Sequence, residues 1–465
     1  MDITRPAPVR RGVLPPVPPP PPPPPLSPAA QSHRSHPTGL RRFLSALGPG
    51  IITGASDDDP SGIGTYSVAG AQFGYQLLWL ALLTYPLSAA VQEVCARIGL
   101  VTGHGLAAAA KHHFGRWILT PMVILLVVAN TVNIGADIQA MAATVQLLTP
   151  SLDFSLIALS LTLFILLAMV ALPYRSYSRF LKLASISLLS YVLVAFLAKV
   201  DWELALAGLL SPALSFQPAY LMTVVGILGT TISPYMFFWQ ANEEVEEERD
   251  HHLIRKDDPA VRHPSLLKLD RRLITGMYLD VNVGMFYSEL IMFFIITATA
   301  ATLYAGDGVT SLQNLNLAQL ASVLRPLVGD TAFALFALGI LGVGLLAIPV
   351  LAGSASYAIA ELFGWQEGLS KKFGEARGFY LVIIAATLVG LALNFSGIAP
   401  VAALYYTAVL NGLVAVPLLI LIWIMGNSRK VVGEHRSGWL SNILVVSTIV
   451  VMTGAAGAML YFFGH

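Results

Sequence analysis

The string Ser56-Asp57-Asp58-Asp59-Pro60-Ser61-Gly62-Ile63-Gly64 sets three consecutive carboxylates inside an apolar stretch, between Gly50-Ile51-Ile52 and Tyr66-Ser67-Val68. An aspartate placed in hydrocarbon costs about 2.5–3.5 kcal/mol on insertion scales, so a chain keeps one where a cation or a partner offsets it. Pro60 and the glycines at 62 and 64 interrupt a helix here, and the carbonyls freed by the interruption are able to turn toward an ion. Asp-Pro is also ordinary turn chemistry for a loop between two helices. The elements around the string decide between an ion site and a loop.

Those elements are membrane spans. The chain has 465 residues, of which 55% are hydrophobic and 11% charged, with a mean hydropathy of +0.70. Soluble domains carry about a quarter charged residues, so the composition is that of a polytopic membrane protein. A net charge of +1 gives no reason to expect a nucleic-acid partner, and the single cysteine, Cys95, excludes an intramolecular disulfide. Residues 1–40, with the unbroken run Pro18 to Pro25, read as a disordered, proline-rich cytoplasmic tail that buries nothing. The first apolar run begins near Ala46, too far in to read as a cleaved signal.

Apolar runs of about 20 residues fall near 46–70, 74–97, 117–148, 154–173, 180–198, 218–241, 274–304, 331–361, 379–394, 398–425 and 438–463, which is eleven spans within a transporter domain of 41–463. With the N-terminus and every second loop assigned to the cytoplasm, 25 of the 27 Lys and Arg lie inside, leaving Lys199 and Arg325 outside. A wrong span count would scramble that bias. The expectation is a multi-pass protein of the plasma or inner membrane, N-terminus inside and C-terminus outside.

A second interruption lies in the sixth span, at Gly229-Thr230-Thr231-Ile232-Ser233-Pro234-Tyr235. A single mid-span proline is usually a structural kink. Here its place matters, because the first and sixth spans open two five-helix halves, about 46–198 and 218–425, with 438–463 as an extra helix. Five is odd, so the second half starts from the opposite side and the halves form an inverted repeat. Paired broken helices at matching positions of such halves point to a substrate site at the midplane. Three aspartates in one break argue for a cation.

Gly48-Pro49-Gly50, Asp59-Pro60-Ser61-Gly62 and Gly70-Ala71-Gln72-Phe73-Gly74-Tyr75-Gln76-Leu77-Leu78-Trp79 resemble the first two helices of the Nramp divalent-metal transporters. The family's Asp-Pro-Gly-Asn motif falls on Asp59 to Gly62, its helix-6 Met-Pro-His on Ser233-Pro234-Tyr235, and the end of its helix 8 on Ala347 to Glu361. The resemblance implies an all-α LeuT-type inverted repeat of five plus five helices with helices 1 and 6 broken, carrying divalent cations by alternating access. It also implies ion ligands at Asp59, at the Thr230 carbonyl, and at the positions of Gly62 and Ser233, with Asp58 beside them.

The departures change the chemistry. Gly62 stands where the family has Asn, and Ser233 where it has Met. Without the soft thioether the donors are oxygen alone, which suits hard cations, and two smaller residues suggest a wider cavity. Mg²⁺ keeps several waters while held by one or two carboxylates. The pattern is thus similar to the Nramp-related magnesium transporters, with Mn²⁺ also expected to pass. The family's helix-6 histidine is Tyr235, a phenol that ordinarily titrates near ~10. All ten histidines lie in the tail, loops or last residue, and Asp137 is the one acidic residue left on the helix-3 proton route. Strict proton coupling is therefore not expected.

Other polar residues carry weaker readings. Asn133, Asp137 and Gln139 either line a cavity or act as interhelical glue, and glue is the commoner role. Gln240 is placed to gate or to bond a hydrated ion, and Asn411 either faces the cavity, as the resemblance implies, or packs between helices. Asp280 and Asn282 are expected to meet water at the cytoplasmic end, and Glu289, deeper in the seventh span, to need a partner, with attraction of ions as the second reading. Glu243 to Glu248 reads as a solvated helix end salt-bridged to Arg249, Arg255 and Lys256. Competing functions are a proton-coupled Mn²⁺/Fe²⁺ importer, a LeuT-type carrier of an organic substrate, and an intramembrane aspartyl protease. The last fails on motif, since Tyr278-Leu279-Asp280 and Val328-Gly329-Asp330 match neither required string. No enzyme activity, no cofactor beyond transported Mg²⁺ or Mn²⁺, and no obligate protein partner are expected, with the lipid bilayer as the surrounding partner.

Overall fold

The computed structural model describes residues 49–171, 188–250, 271–304, 315–325, 329 and 332–463. The proline-rich tail, residues 180–187 of the fifth span and residues 251–270 of the basic loop lie outside these. Within the described residues the regular structure is helical, with no strands.

The first span is two half-helices, α1 (Pro49–Asp57) and α2 (Pro60–Phe73). It is followed by α3 (Trp79–Thr102), a short helix α4 (Leu106–Phe114), α5 (Arg116–Leu148) and α6 (Phe154–Ala171). The described part of the fifth span is α7 (Leu189–Leu197), and α8 (Trp202–Leu210) leads to the sixth. That span is again two half-helices, α9 (Pro218–Thr231) and α10 (Pro234–Asp250). The rest are α11 (Arg271–Leu303), α12 (Leu317–Ser322), α13 (Ala332–Phe363), α14 (Arg377–Leu393), α15 (Pro400–Asn427), α16 (Arg429–Val432) and α17 (Trp439–Phe463).

By length and apolar composition alone, seven spans among the described residues are long and apolar enough to cross a membrane, with α9 and α10 taken together as one, or eight if the pair bent by 108° around Leu78 counts as one. The eleven expected spans exceed that number for physical reasons. The first is split into pieces of 9 and 14 residues, the ninth is 17 residues long, and the fifth is partly outside the described residues. Burial orders the bundle. The sixth span is 94% buried in its most apolar window, whereas α6 is 33% and α17 28% buried. Large apolar side chains such as Leu159, Leu163 and Leu167 of α6 stay exposed, as lipid-facing residues must.

Backbone approaches without side chains hold the central helices. α11 packs along α1, α2 and α3. A Cβ on Gly54 would sit 2.2 Å from the Gly284 carbonyl oxygen, and one on Gly284 2.0 Å from that of Gly50. The same device joins α9 to α15 at Gly229 and Gly412, and α5 to α14 at Gly135 and Gly390. Close contact between small residues is how helices associate where lipid is as apolar as leucine. Gly284→Val therefore forces α1 off α11 and is expected to cost about 1–3 kcal/mol of stability. Gly276→Ala, where a Cβ meets nothing within 4 Å, is expected to be neutral. Thermal unfolding of the two variants in detergent checks the contrast.

Candidate cation site at the helix breaks

Asp59 is where the first span stops being one helix. Its backbone is extended (φ −61°, ψ 171°), and its carboxylate caps α2 by accepting from the Gly62 N–H at 2.7 Å. The Ser61 hydroxyl donates to the same oxygen at 2.6 Å. Pro60 at the first helical position lacks an N–H that would need a partner, which is why Asp-Pro starts this half-helix. The other carboxylate oxygen accepts from the Asn133 amide of α5 at 3.0 Å. Asn133 in turn donates to Asp137 at 3.1 Å, and its own carbonyl accepts from Asn411 of α15 at 2.9 Å. One asparagine thus ties the break to two further spans.

All six residues of this chain of bonds are buried: Asp59, Ser61, Asn133, Asp137 and Asn411 at 0% exposure, and Gly62 with them. Each of these hydrogen bonds reaches Asp59 or Asp137 from a neutral amide, hydroxyl or backbone group. Around them, Asp137 Oδ1, Asn411 Oδ1 and Thr230 Oγ1 are buried without a hydrogen-bond partner among the described residues. The space at Gly62 is bounded by the Asp57 carbonyl and that Thr230 hydroxyl, each 3.1 Å from where a Cβ would stand. The wider cavity anticipated from Gly62 is thus filled, in this conformation, by oxygen atoms of the two breaks.

The sixth-span break lies against the first. α9 ends at Thr231, Ile232 leaves the helical region, and Pro234 starts α10. The Ser233 hydroxyl bridges the carbonyls of Gly229 (2.6 Å) and Thr230 (2.8 Å). Tyr235 donates its hydroxyl to the Ser56 carbonyl at 2.9 Å, and Thr53 donates to Gln240 at 2.6 Å, while Gln240 donates to Glu244 at 2.9 Å. The carbonyls expected to be free at the breaks are therefore occupied by hydroxyls on the α1–α10 side.

The three aspartates part company. Asp59 turns toward α5, whereas the Ser288 hydroxyl of α11 lies on Asp57 and is 3.4 Å from Asp58. Glu289 sits behind Ser288, accepting from Thr84 (2.7 Å) and Ser88 (3.3 Å) of α3. Among the expected site residues, Asp59, Gly62, Thr230, Ser233, Tyr235, Asp137 and Asn411 are gathered around the paired breaks, Gln240 lies further along α10, and Asp58 and Glu289 belong to the α11 side. Among the described residues no three His, Cys, Asp or Glu side chains converge at metal-ligand spacing, so any ion here would draw on hydroxyl, amide or carbonyl oxygens as well.

Two expectations are corrected. Asp280 does not meet water: it is 3% exposed and accepts from the Gly50 N–H at 2.6 Å, capping the start of α1. Glu243 and Glu244 are buried rather than solvated, and Glu246 accepts from Tyr357 and from the Leu369 N–H, because α10 continues into the bundle beyond its break. Arg255 and Lys256 lie outside the described residues. Gln139 does act as glue, donating to the Ile398 carbonyl at 2.6 Å. Sequence reading ranked Asn133 too low. Its signal was the i, i+4 spacing with Asp137, which stacks both on one helix face.

The family profile described as natural resistance-associated macrophage protein-like matches residues 50–462. A curated relative, the divalent metal cation transporter MntH of Brucella suis biovar 1, is 25% identical over 315 residues, which is 66% of this chain and 64% of that protein. The match thus spans just under two thirds of that relative's length. Among solved structures, the Eremococcus coleocola manganese transporter, in complex with an aromatic bis-isothiourea substituted compound, superposes with a TM-score of 0.65 at 16% identity, covering 92% of this chain and 95% of the other. Mhp1, a nucleobase-cation-symport-1 family transporter in a closed conformation, gives 0.56 at 13%, covering 90% and 92%. These likenesses carry the fold, the LeuT-type arrangement with first and sixth helices broken. With the profile matched from the first half-helix to the last span, the chain belongs to the Nramp family.

Proposed function

We propose that this protein imports divalent metal cations by alternating access, taking Mg²⁺ and Mn²⁺ as partly hydrated ions and without strict proton coupling. The observation that carries the reading is the setting of Asp59, buried between two broken helices, with hydrogen-bond partners that are all neutral among the described residues and with unpartnered oxygens of Thr230, Asp137 and Asn411 around it. A buried carboxylate with neutral partners is costly unless a positive charge visits it. The names of the relatives, a divalent metal cation transporter and a manganese transporter, support the substrate class. In the proposed site Asp59 is the charged ligand, the Thr230 carbonyl and hydroxyl and the Ser233 hydroxyl are neutral ligands, and Gly62, having no side chain, lets the Thr230 hydroxyl and the Asp57 carbonyl approach. Asn133 positions Asp59, and Asn411 and Asp137 complete the wall.

An all-oxygen set favours hard ions, and Mg²⁺ tolerates such a site because it surrenders few of its waters. The contacts of Tyr235 with Ser56 and of Thr53 with Gln240 close the site along α1 and α10. With the N-terminus inside, as the Lys/Arg bias supports, that is the cytoplasmic gate. A protein of this kind works by charge movement: a divalent ion crossing about 100 mV gains about 4.6 kcal/mol, enough for roughly a thousandfold accumulation.

Three measurements test the proposal. Asp59→Asn keeps the cap through its amide oxygen, gives up the bond from the Asn133 amide, and removes the charge. It is expected to reduce Mn²⁺ and Mg²⁺ uptake into proteoliposomes by about 100-fold or more, with the protein still folded. Gly62→Asn with Ser233→Met restores a soft ligand and displaces water, so affinity for Mn²⁺ and Cd²⁺ should rise and Mg²⁺ transport fall. Unchanged Mg²⁺ preference would place selectivity elsewhere. With a pH dye trapped inside the liposomes, uptake should follow the imposed potential and leave internal pH constant, because a phenol stands where the family has an imidazole. Acidification proportional to metal uptake would defeat the uncoupled reading.

A further inference from the structure

The break of the first span has a second face. Asp57 and Asp58 turn away from Asp59 toward α11 and α3, into a polar nest formed by Ser288 and Glu289 with Thr84 and Ser88. Asp57, Asp58, Thr84 and Ser288 are 0% exposed, and Glu289 is 4% exposed. The nest lies at mid-helix: Ser288 is near the centre of the 33-residue α11.

Its hydrogen-bond balance is short of donors. The single Ser288 proton faces both Asp57 Oδ2 and Asp58 Oδ1. The Thr84 proton is shared between Glu289 and the Leu80 carbonyl, and that of Ser88 between Glu289 and the Tyr85 carbonyl. Three hydroxyls therefore face three carboxylates, and among the described residues no Lys, Arg or His is a hydrogen-bond partner of those carboxylates. Asp57 Oδ1 and Asp58 Oδ2 are buried with no partner among the described residues. The Tyr66 hydroxyl of α2 is likewise fully buried with no partner among the described residues. Buried polar groups are ordinarily satisfied, and a surplus of acceptors in the absence of donors is satisfied by a cation.

We infer that Asp57, Asp58 and the Ser288 hydroxyl form a second station for a hard divalent cation, with Glu289 behind it, on the opposite side of the break from Asp59. The proposal rests on the reading of this chain as a divalent-cation carrier. Two carboxylates and a hydroxyl match the few protein ligands that a partly hydrated Mg²⁺ or Mn²⁺ takes. Thr84 and Ser88 orient Glu289, which holds the nest negative without reaching ligand spacing. Two stations flanking one proline break would let one ion wait while another is held at Asp59.

Equilibrium binding of Mn²⁺ to the purified full-length protein in nanodiscs, counted by elemental analysis and located by anomalous scattering at the manganese edge, tests the inference. The wild type is expected to hold two Mn²⁺ per chain. Asp59→Asn should leave one, at Asp57 and Asp58, and the double variant Asp57→Asn, Asp58→Asn should leave one, at Asp59. Glu289→Gln, which removes no direct ligand, keeps the test valid if the double variant fails to fold: it should weaken the second Mn²⁺ by about 10-fold or more and leave the first unchanged. A single Mn²⁺ that disappears with Asp59→Asn overturns the second station while sparing the transport reading, and the nest is then satisfied by protons alone. No bound Mn²⁺ in the wild type overturns both.

Discussion

The carboxylate of Asp59 is the point on which the architecture of the centre depends. It caps α2 through the Gly62 N–H and is fixed by Asn133, which itself spans to Asp137 and Asn411. A cap is worth about 1 kcal/mol to a helix, modest as stability, but here the same two oxygens decide where α2 begins, how α5 is rotated and where α15 meets both. The Ser61 hydroxyl and the Gly62 N–H occupy one oxygen and Asn133 the other, so the side chain has a fixed orientation. In the proposed site, a ligand held by its own helix cap needs little reorganisation on binding.

Charge without counter-charge is the second theme. Asp57, Asp58, Asp59, Asp137 and Glu289 are all buried, and their hydrogen-bond partners among the described residues are hydroxyls, amides and backbone groups. A soluble protein would offset such groups with arginine or lysine. Under the proposed cation transport that offset is ruled out, since a resident cation would compete with the cargo. The cost is spread instead over many neutral dipoles, and the scaffold has backbone contacts at Gly54, Gly284, Gly229 and Gly412 besides the polar centre to hold its helices together.

Much of this was legible in the chain itself. Span positions, both breaks and their equivalence follow from apolar run length, proline position and the lysine-arginine bias, because each is a one-dimensional property. Helix 1 stops at Asp59 for the reason the Asp-Pro pair suggested. What could not be read was direction. Three successive aspartates around a broken turn point different ways, and only the packing of α11 and α5 separates Asp57 and Asp58 from Asp59. Asp280 looked like a water-facing terminus because its sequence position is near a loop, but α11 extends far enough to bring it onto the Gly50 N–H of α1. Glu243 and Glu244 looked solvated for a similar reason. Local charge density was visible, whereas the depth to which α10 carries it was not. Asn133 was undervalued because an asparagine in a span is so often mere glue.

The glycine seam between α1 and α11 also has a mechanical meaning. Side-chain ridges lock neighbouring helices in register by sitting in each other's grooves. Where Gly50 and Gly54 face Gly284 there are no ridges to unseat. The half-helix is pinned instead at its two ends, by Asp280 on the Gly50 N–H and by Ser288 on Asp57. A rod that is smooth along its length and fastened at its tips is a latch bolt: releasing one pin lets it swing as a unit without stripping the surface it slides on.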